Sequence, residues 1–159
     1  MPKPVQIKLT PSETRLAAEV GITRQLVNLF KKRSDAYGCP KGVGWQVHIE
    51  GCLGELVVAK HLDVYWSGNW EKLKADDVGH YQVRTADSHN KRLILHERDP
   101  DDKIFILVTG SAPDYLIQGW IYARDGKKPE FWSDPSRKGR PAFFVGRENL
   151  NSMETLPSV

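Results

Sequence analysis

Residues 75–85, "ADDVGHYQVRT", set two adjacent acids and a glycine directly ahead of an alternating segment. Asp76 and Asp77 offer carboxylates from a turn. Gln82 and Arg84, two apart on a strand, share one face, while Tyr81, Val83 and Thr85 share the other. A further acid, Glu55, stands upstream in "HIEGCLGELVVAKHL". Acids, an amide and a cation are the groups that hold magnesium against a phosphate. The ion takes oxygen ligands, usually one or two carboxylates with waters and substrate phosphate. It lowers the pKa of a bound water, and a neighbouring cation offsets charge on the phosphate. In such a site Glu55 and Asp77 supply carboxylates, Gln82 its amide oxygen, the Val83 carbonyl a fourth ligand and Arg84 the cation. Asp76 is the alternative to Asp77, and the spacing does not choose between them. The same residues also fit the alternation of a one-sided sheet, with His80 a solvated turn residue. On spacing alone Glu55 reads as a surface acid.

Two helices and a run of strands must position these groups. "LTPSETRLAAEVGITRQLVNLFKKR" starts with Thr10 as cap, Pro11 at the first helical position and Glu13 at the capping-box offset. Leu16, Val20, Leu26, Val27 and Phe30 recur at helical intervals, and Gly21 predicts a kink or a break into two short helices. The basic end of this segment suits the negative end of a helix dipole. Residues 45–62 form a second helix, in which Gly51 and Gly54 each cost about 1 kcal/mol relative to alanine. That cost implies that something approaches the face closely. His48, Cys52, Glu55 and Ala59 fall along one stripe. From Val64 onward the pattern is extended. "DVYWSG", "HYQVRTA", "RLILHE", "KIFILVTG" and "YLIQGWIYA" are candidate strands separated by turn chemistry, with a short one at "AFFV". "IFILV" is continuously apolar, as a central strand buried on both faces would be. These elements predict one α/β or α+β domain over residues 1–159, a mixed or antiparallel central sheet with helices, and a loosely held tail at 151–159.

The composition bounds the function. The chain has 159 residues and a formal net charge of +3, which permits a polyanionic partner without requiring one. Mean hydropathy is −0.49, and the apolar runs fall far short of the roughly 20 residues of a spanning helix. "MPKPVQIKLTPSE" lacks the apolar core of a signal peptide, so a cytoplasmic location is expected. The two cysteines, Cys39 and Cys52, have no metal-ligand spacing and are assigned to packing, and the five histidines are scattered. A zinc enzyme is not indicated. Lys91 and Arg92, in the turn after the motif strand, are candidate phosphate contacts. So are Arg137, Lys138 and Arg140 in "SRKGR", which otherwise form a solvated loop.

The order helix acid, Asp near a turn, then acid-x-Lys on a strand resembles the PD-(D/E)XK nuclease superfamily. "HIEGCLGELVVAKHL", "ADDVGHYQVRT", "RDPDDKIFILVTG" and "GWIYARD" together look like phage and prophage proteins of that superfamily, over roughly residues 9–150. The resemblance implies a restriction-endonuclease-like core and a magnesium- or manganese-dependent endonuclease acting on DNA, in a bacterial host cell, with a homodimer as one arrangement. It places Glu55 at the helix glutamate, Asp77 at the motif aspartate, Gln82 at the acid and Arg84 at the lysine. Gln82 lacks the charge of an acid. Arg84, with a pKa above ~12, orients phosphate but cannot serve as a general base. The implied alternative is a nuclease-fold protein of reduced or no activity that binds DNA or a host protein.

Overall fold

The computed structural model describes residues 1–31, 42–71 and 75–158. Cys39 and the basic residues Lys32 and Arg33 lie outside the described residues.

The chain begins with a strand that the sequence did not announce, β1 (Val5–Lys8), in which Val5 and Ile7 turn inward. Helix α1 (Pro11–Phe30) follows, and its start is the expected capping box: the Glu13 amide donates to Thr10 Oγ1 at 3.2 Å, and the Thr10 amide to Glu13 Oε1 at 2.7 Å. The expected break at Gly21 is absent, and α1 runs unbroken for 20 residues. A Cβ on Gly21 would lie 2.5 Å from the Ile49 Cα, so this glycine exists for contact with the second helix, α2 (Gly44–Leu62). The buried seam of α1 is Ala17, Gly21 and Gln25. Leu16, Leu26 and Phe30, which periodicity assigned inward, are exposed. Small residues won that face because they let two backbones approach. Helix α2 is buried from Cys52 through Ala59, enclosed between α1 and the sheet. Gly54 meets the sheet, where a Cβ would sit 1.8 Å from Thr85 Oγ1, whereas Gly51 faces open space.

The remaining elements are β2 (Tyr81–Ala86), β3 (Leu93–Leu95), β4 (Ile104–Ser111), β5 (Asp114–Tyr122), a four-residue helix α3 (Ala123–Gly126), β6 (Trp132–Ser133) and β7 (Ala142–Val145). The architecture is α+β. A mixed four-stranded sheet has the order β1-β5-β4-β2, with β2 parallel to β4 and the other pairs antiparallel. The apolar β4 alternates Ile104, Ile106 and Val108 toward the α1–α2 side with Phe105 and Leu107 toward the other. That second side is covered by a three-stranded antiparallel sheet, β3-β7-β6, which brings Leu93, Leu95 and Val145 onto Phe105, Leu107 and Ile121. An irregularity opposite Leu107 and Val108 shifts the facing of β5, so that Ile117 and Trp120 both meet the helical core.

Two further expectations are corrected. "DVYWSG" forms no strand: Asp63 caps α2 in the left-handed region at φ 53°, and Trp66 folds back onto α2 and its core. Trp66 serves that docking, whereas Tyr65 is exposed. The tail is held through Pro157. Asn151 exchanges backbone hydrogen bonds with Trp120, the Trp120 indole donates to the Ser152 carbonyl at 2.9 Å, Met153 is buried, and the Tyr81 hydroxyl donates to the Pro157 carbonyl. Among the described residues no helix is long and apolar enough to cross a membrane.

Candidate functional site

Among the described strands β2 is an edge strand, and the turn that feeds it carries Asp76 and Asp77, whose carboxylates take different partners. The turn closes through Asp77 and Val78 amides on the Tyr81 carbonyl, with Gly79 at φ 56°. A residue's N–H and C=O leave a strand on the same side, and those of Val83 point to the unpaired edge. The Val83 amide donates to Asp77 Oδ2 at 2.8 Å. Asp77 thereby blunts the open edge, and its other oxygen has no hydrogen-bond or ion-pair partner among the described residues.

Glu55 is not a surface acid: it is 5% exposed. It reaches the same region from α2, where Arg24 of α1 clamps it with two hydrogen bonds, Nη1 to Oε2 at 2.6 Å and Nη2 to Oε1 at 3.1 Å. Trp66 Nε1 adds a third at 3.2 Å, and Arg24 Nε donates to the Asn69 carbonyl at 2.8 Å. Burial works against the Arg24 charge, but the hydrogen bonds and charge of Glu55 outweigh it and raise its pKa. Among the described residues Asp77 has no such partner. Burial, with the nearby Glu55 charge added, pushes its carboxyl up to about 7, although the Val83 amide, Arg84 and Arg24 each pull the other way. Arg24, His48, Ser67, Asn69, Asp76 and Asp77 line a cavity of about 180 Å³ here.

Gln82 and Arg84 do not join this group. Val83 faces the helical core, so its neighbours on β2 face the small sheet. Gln82 Nε2 donates to Asp76 Oδ1 at 2.6 Å, and Lys103 Nζ, from the residue preceding β4, donates to both Asp76 oxygens at 2.9 Å. His80 Nδ1 lies 3.9 Å from Asp76 Oδ2. Arg84 Nη2 holds both oxygens of buried Asp99, at 3.1 and 3.2 Å, and its guanidinium stands 4.7 Å from the centre of the Phe105 ring. The four side chains predicted to act together are therefore split by the sheet, Glu55 and Asp77 on one side, Gln82 and Arg84 on the other.

The cations proposed for nucleic acid lie elsewhere, and none lines the Asp77 cavity. Lys91 and Arg92 are exposed, with Arg92 5.0 Å over Phe144 on the outer face of the small sheet. Arg137, Lys138 and Arg140 are exposed in the β6–β7 loop, which Asp134 organises by accepting from the Gly139 amide at 2.9 Å and from Ser136 Oγ at 3.2 Å. Burial pushes the Cys52 thiol up to about 12, consistent with a packing role.

A divalent ion fits part of the expected ligand set. Asp77 offers an oxygen that has no hydrogen-bond or ion-pair partner among the described residues, and the Val83 carbonyl points to the same edge. Glu55 contributes charge, but Arg24 and Trp66 occupy its oxygens. Gln82 does not line the cavity, and its amide nitrogen is given to Asp76. Among the described residues no three His, Cys, Asp or Glu side chains form a metal-binding cluster. An ion here would rely on one or two carboxylates with carbonyls and water, a common mode for magnesium.

Sequence reasoning missed Arg24, Trp66, Asp99 and Lys103. Arg24 did carry a signal. It sits one turn after Gly21, beside the small-residue seam that a close helix–helix contact requires. Comparisons with family models, curated proteins and solved structures produced no match.

Proposed function

We propose that this chain is a divalent-metal-dependent DNA phosphodiesterase, an endonuclease whose central carboxylate is Asp77. The observation that carries this reading is a half-buried Asp77 at the edge of β2 on which the charge of Glu55 also acts, and which accepts the Val83 amide but has no ion-pair partner among the described residues. Asp77 and the Val83 carbonyl would hold the ion, with Glu55 adding charge behind them. The ion, when bound, lowers the pKa of a water and neutralises charge on the phosphate. The chain's own residues do the rest. The Val83 amide fixes the Asp77 carboxylate, Glu55 fixes Arg24 at the cavity wall, and the buried α2 holds Glu55 against the sheet.

A second reading, binding of DNA without cleavage, is favoured by one observation: Gln82 and Arg84, which the resemblance makes catalytic, are committed to Asp76 and Asp99. Purified protein incubated with supercoiled and linear DNA in magnesium, manganese or EDTA separates the two. Metal-dependent nicking that disappears in Asp77→Ala supports the phosphodiesterase. Nicking unchanged in Asp77→Ala refutes it, and salt-sensitive binding without nicking supports the second reading.

A further inference from the structure

The resemblance assigns phosphate contact to Arg84, but Arg84 faces the small sheet and is tied to Asp99 over Phe105. Among the described lysines and arginines, Arg24 is the one that lines the Asp77 cavity. A guanidinium carries five N–H donors. Arg24 gives Nε–H to the Asn69 carbonyl and one N–H from each Nη to Glu55, so one donor on each Nη has no partner among the described residues. Its side chain is 16% exposed, enough to meet a ligand in the cavity while staying mostly out of water. Held at three points, the guanidinium has little rotamer freedom left to lose on meeting an anion.

We infer that Arg24, aimed by Glu55, is the residue that contacts the phosphodiester in this cavity, and that Arg84 is a strut of the opposite face. The inference rests on the DNA reading above and assigns a residue within that same site. Glu55 is then a positioning residue, which explains why both its oxygens face Arg24. Asp77 shares the cavity, so its charge opposes an anion until a divalent cation covers it. Binding is therefore measured in calcium as well as in EDTA.

The test is the salt dependence of affinity for a short fluorescein-labelled DNA duplex. Two paired variants keep net charge constant: Arg24→Gln with Glu55→Gln, and Arg84→Gln with Asp99→Asn. Loss of one phosphate contact lowers the slope of log K against log salt by about one, and affinity by roughly tenfold. The first pair is expected to show both changes, and the second neither. An unchanged slope in the first pair, or a lowered slope in the second, overturns the inference while leaving DNA binding intact. Wild-type protein that does not bind the duplex removes the DNA reading and the inference together. Should the first pair fail to fold, Arg24→Lys decides. It keeps the charge but loses the fork, so several-fold weaker binding at wild-type melting temperature supports the assignment, and unchanged binding overturns it.

Discussion

Asp77→Asn should make the protein more stable at pH 8 and leave it unchanged near pH 4. In the folded chain the Asp77 carboxyl is raised from 3.8 to about 7 by burial and by Glu55. A raised carboxyl means that the folded state binds more protons than the unfolded chain between those two values. Stability from this group is therefore fullest below about pH 4, falls as pH rises toward 7 and levels off above it. The interval is about three pKa units, and at ~1.4 kcal/mol each the upper limit is ~4 kcal/mol. Because the cavity opens to solvent, screening reduces the expected difference to about 2 kcal/mol. Asparagine retains an oxygen for the Val83 amide, so the comparison isolates charge from hydrogen bonding. Urea unfolding of both proteins in EDTA at pH 4, 6 and 8 measures it. A variant that is less stable at pH 8, or a difference that does not change with pH, would refute the reasoning. Adding magnesium at pH 8 should then stabilise wild type and not the variant.

Other outcomes follow from the packing. Gly54→Ala gains up to ~1 kcal/mol of helix propensity, yet drives a methyl into Thr85 Oγ1, so a net loss of about 1–3 kcal/mol is expected, partly restored by Thr85→Ala, in denaturant titrations. Gly21→Ala meets the Ile49 backbone, which cannot rotate away. Its melting temperature should fall further than that of Gly51→Ala, where space is open. Arg24→Met leaves Glu55 buried without its partner and should cost about 3–5 kcal/mol, with much of the loss recovered when Glu55→Gln is added. Ending the chain at Leu150 removes Met153 from the core and the Ser152 carbonyl from the Trp120 indole. A loss of roughly 2–4 kcal/mol by thermal or urea unfolding is expected.

How much of this was legible depends on how far each determinant reaches along the chain. The start of α1 was readable because its signals lie within three residues: Thr10, Pro11 and Glu13 interact with one another. Strand β4 was readable because a strand covered on both faces needs an uninterrupted apolar run. The alternation that separates Gln82 and Arg84 from Val83 was also readable, since a strand repeats every two residues. What that alternation meant was not. It sends Arg84 to whichever side lacks α2, and only the packing of the small sheet shows that Asp99 waits there.

The candidate site divides in the same way. The residue types and order of Glu55, Asp76, Asp77, Gln82 and Arg84 are present in the sequence and bring oxygen ligands and phosphate to mind. Tertiary structure alone decided that Glu55 is buried, that Asp76 and Asp77 take different partners, and that Arg24, 31 residues from Glu55, is its partner. Local periodicity places a side chain on a face of its own element. Burial, charge pairing and a shifted carboxyl depend on what the fold sets opposite that face, and those partners come from distant parts of the chain.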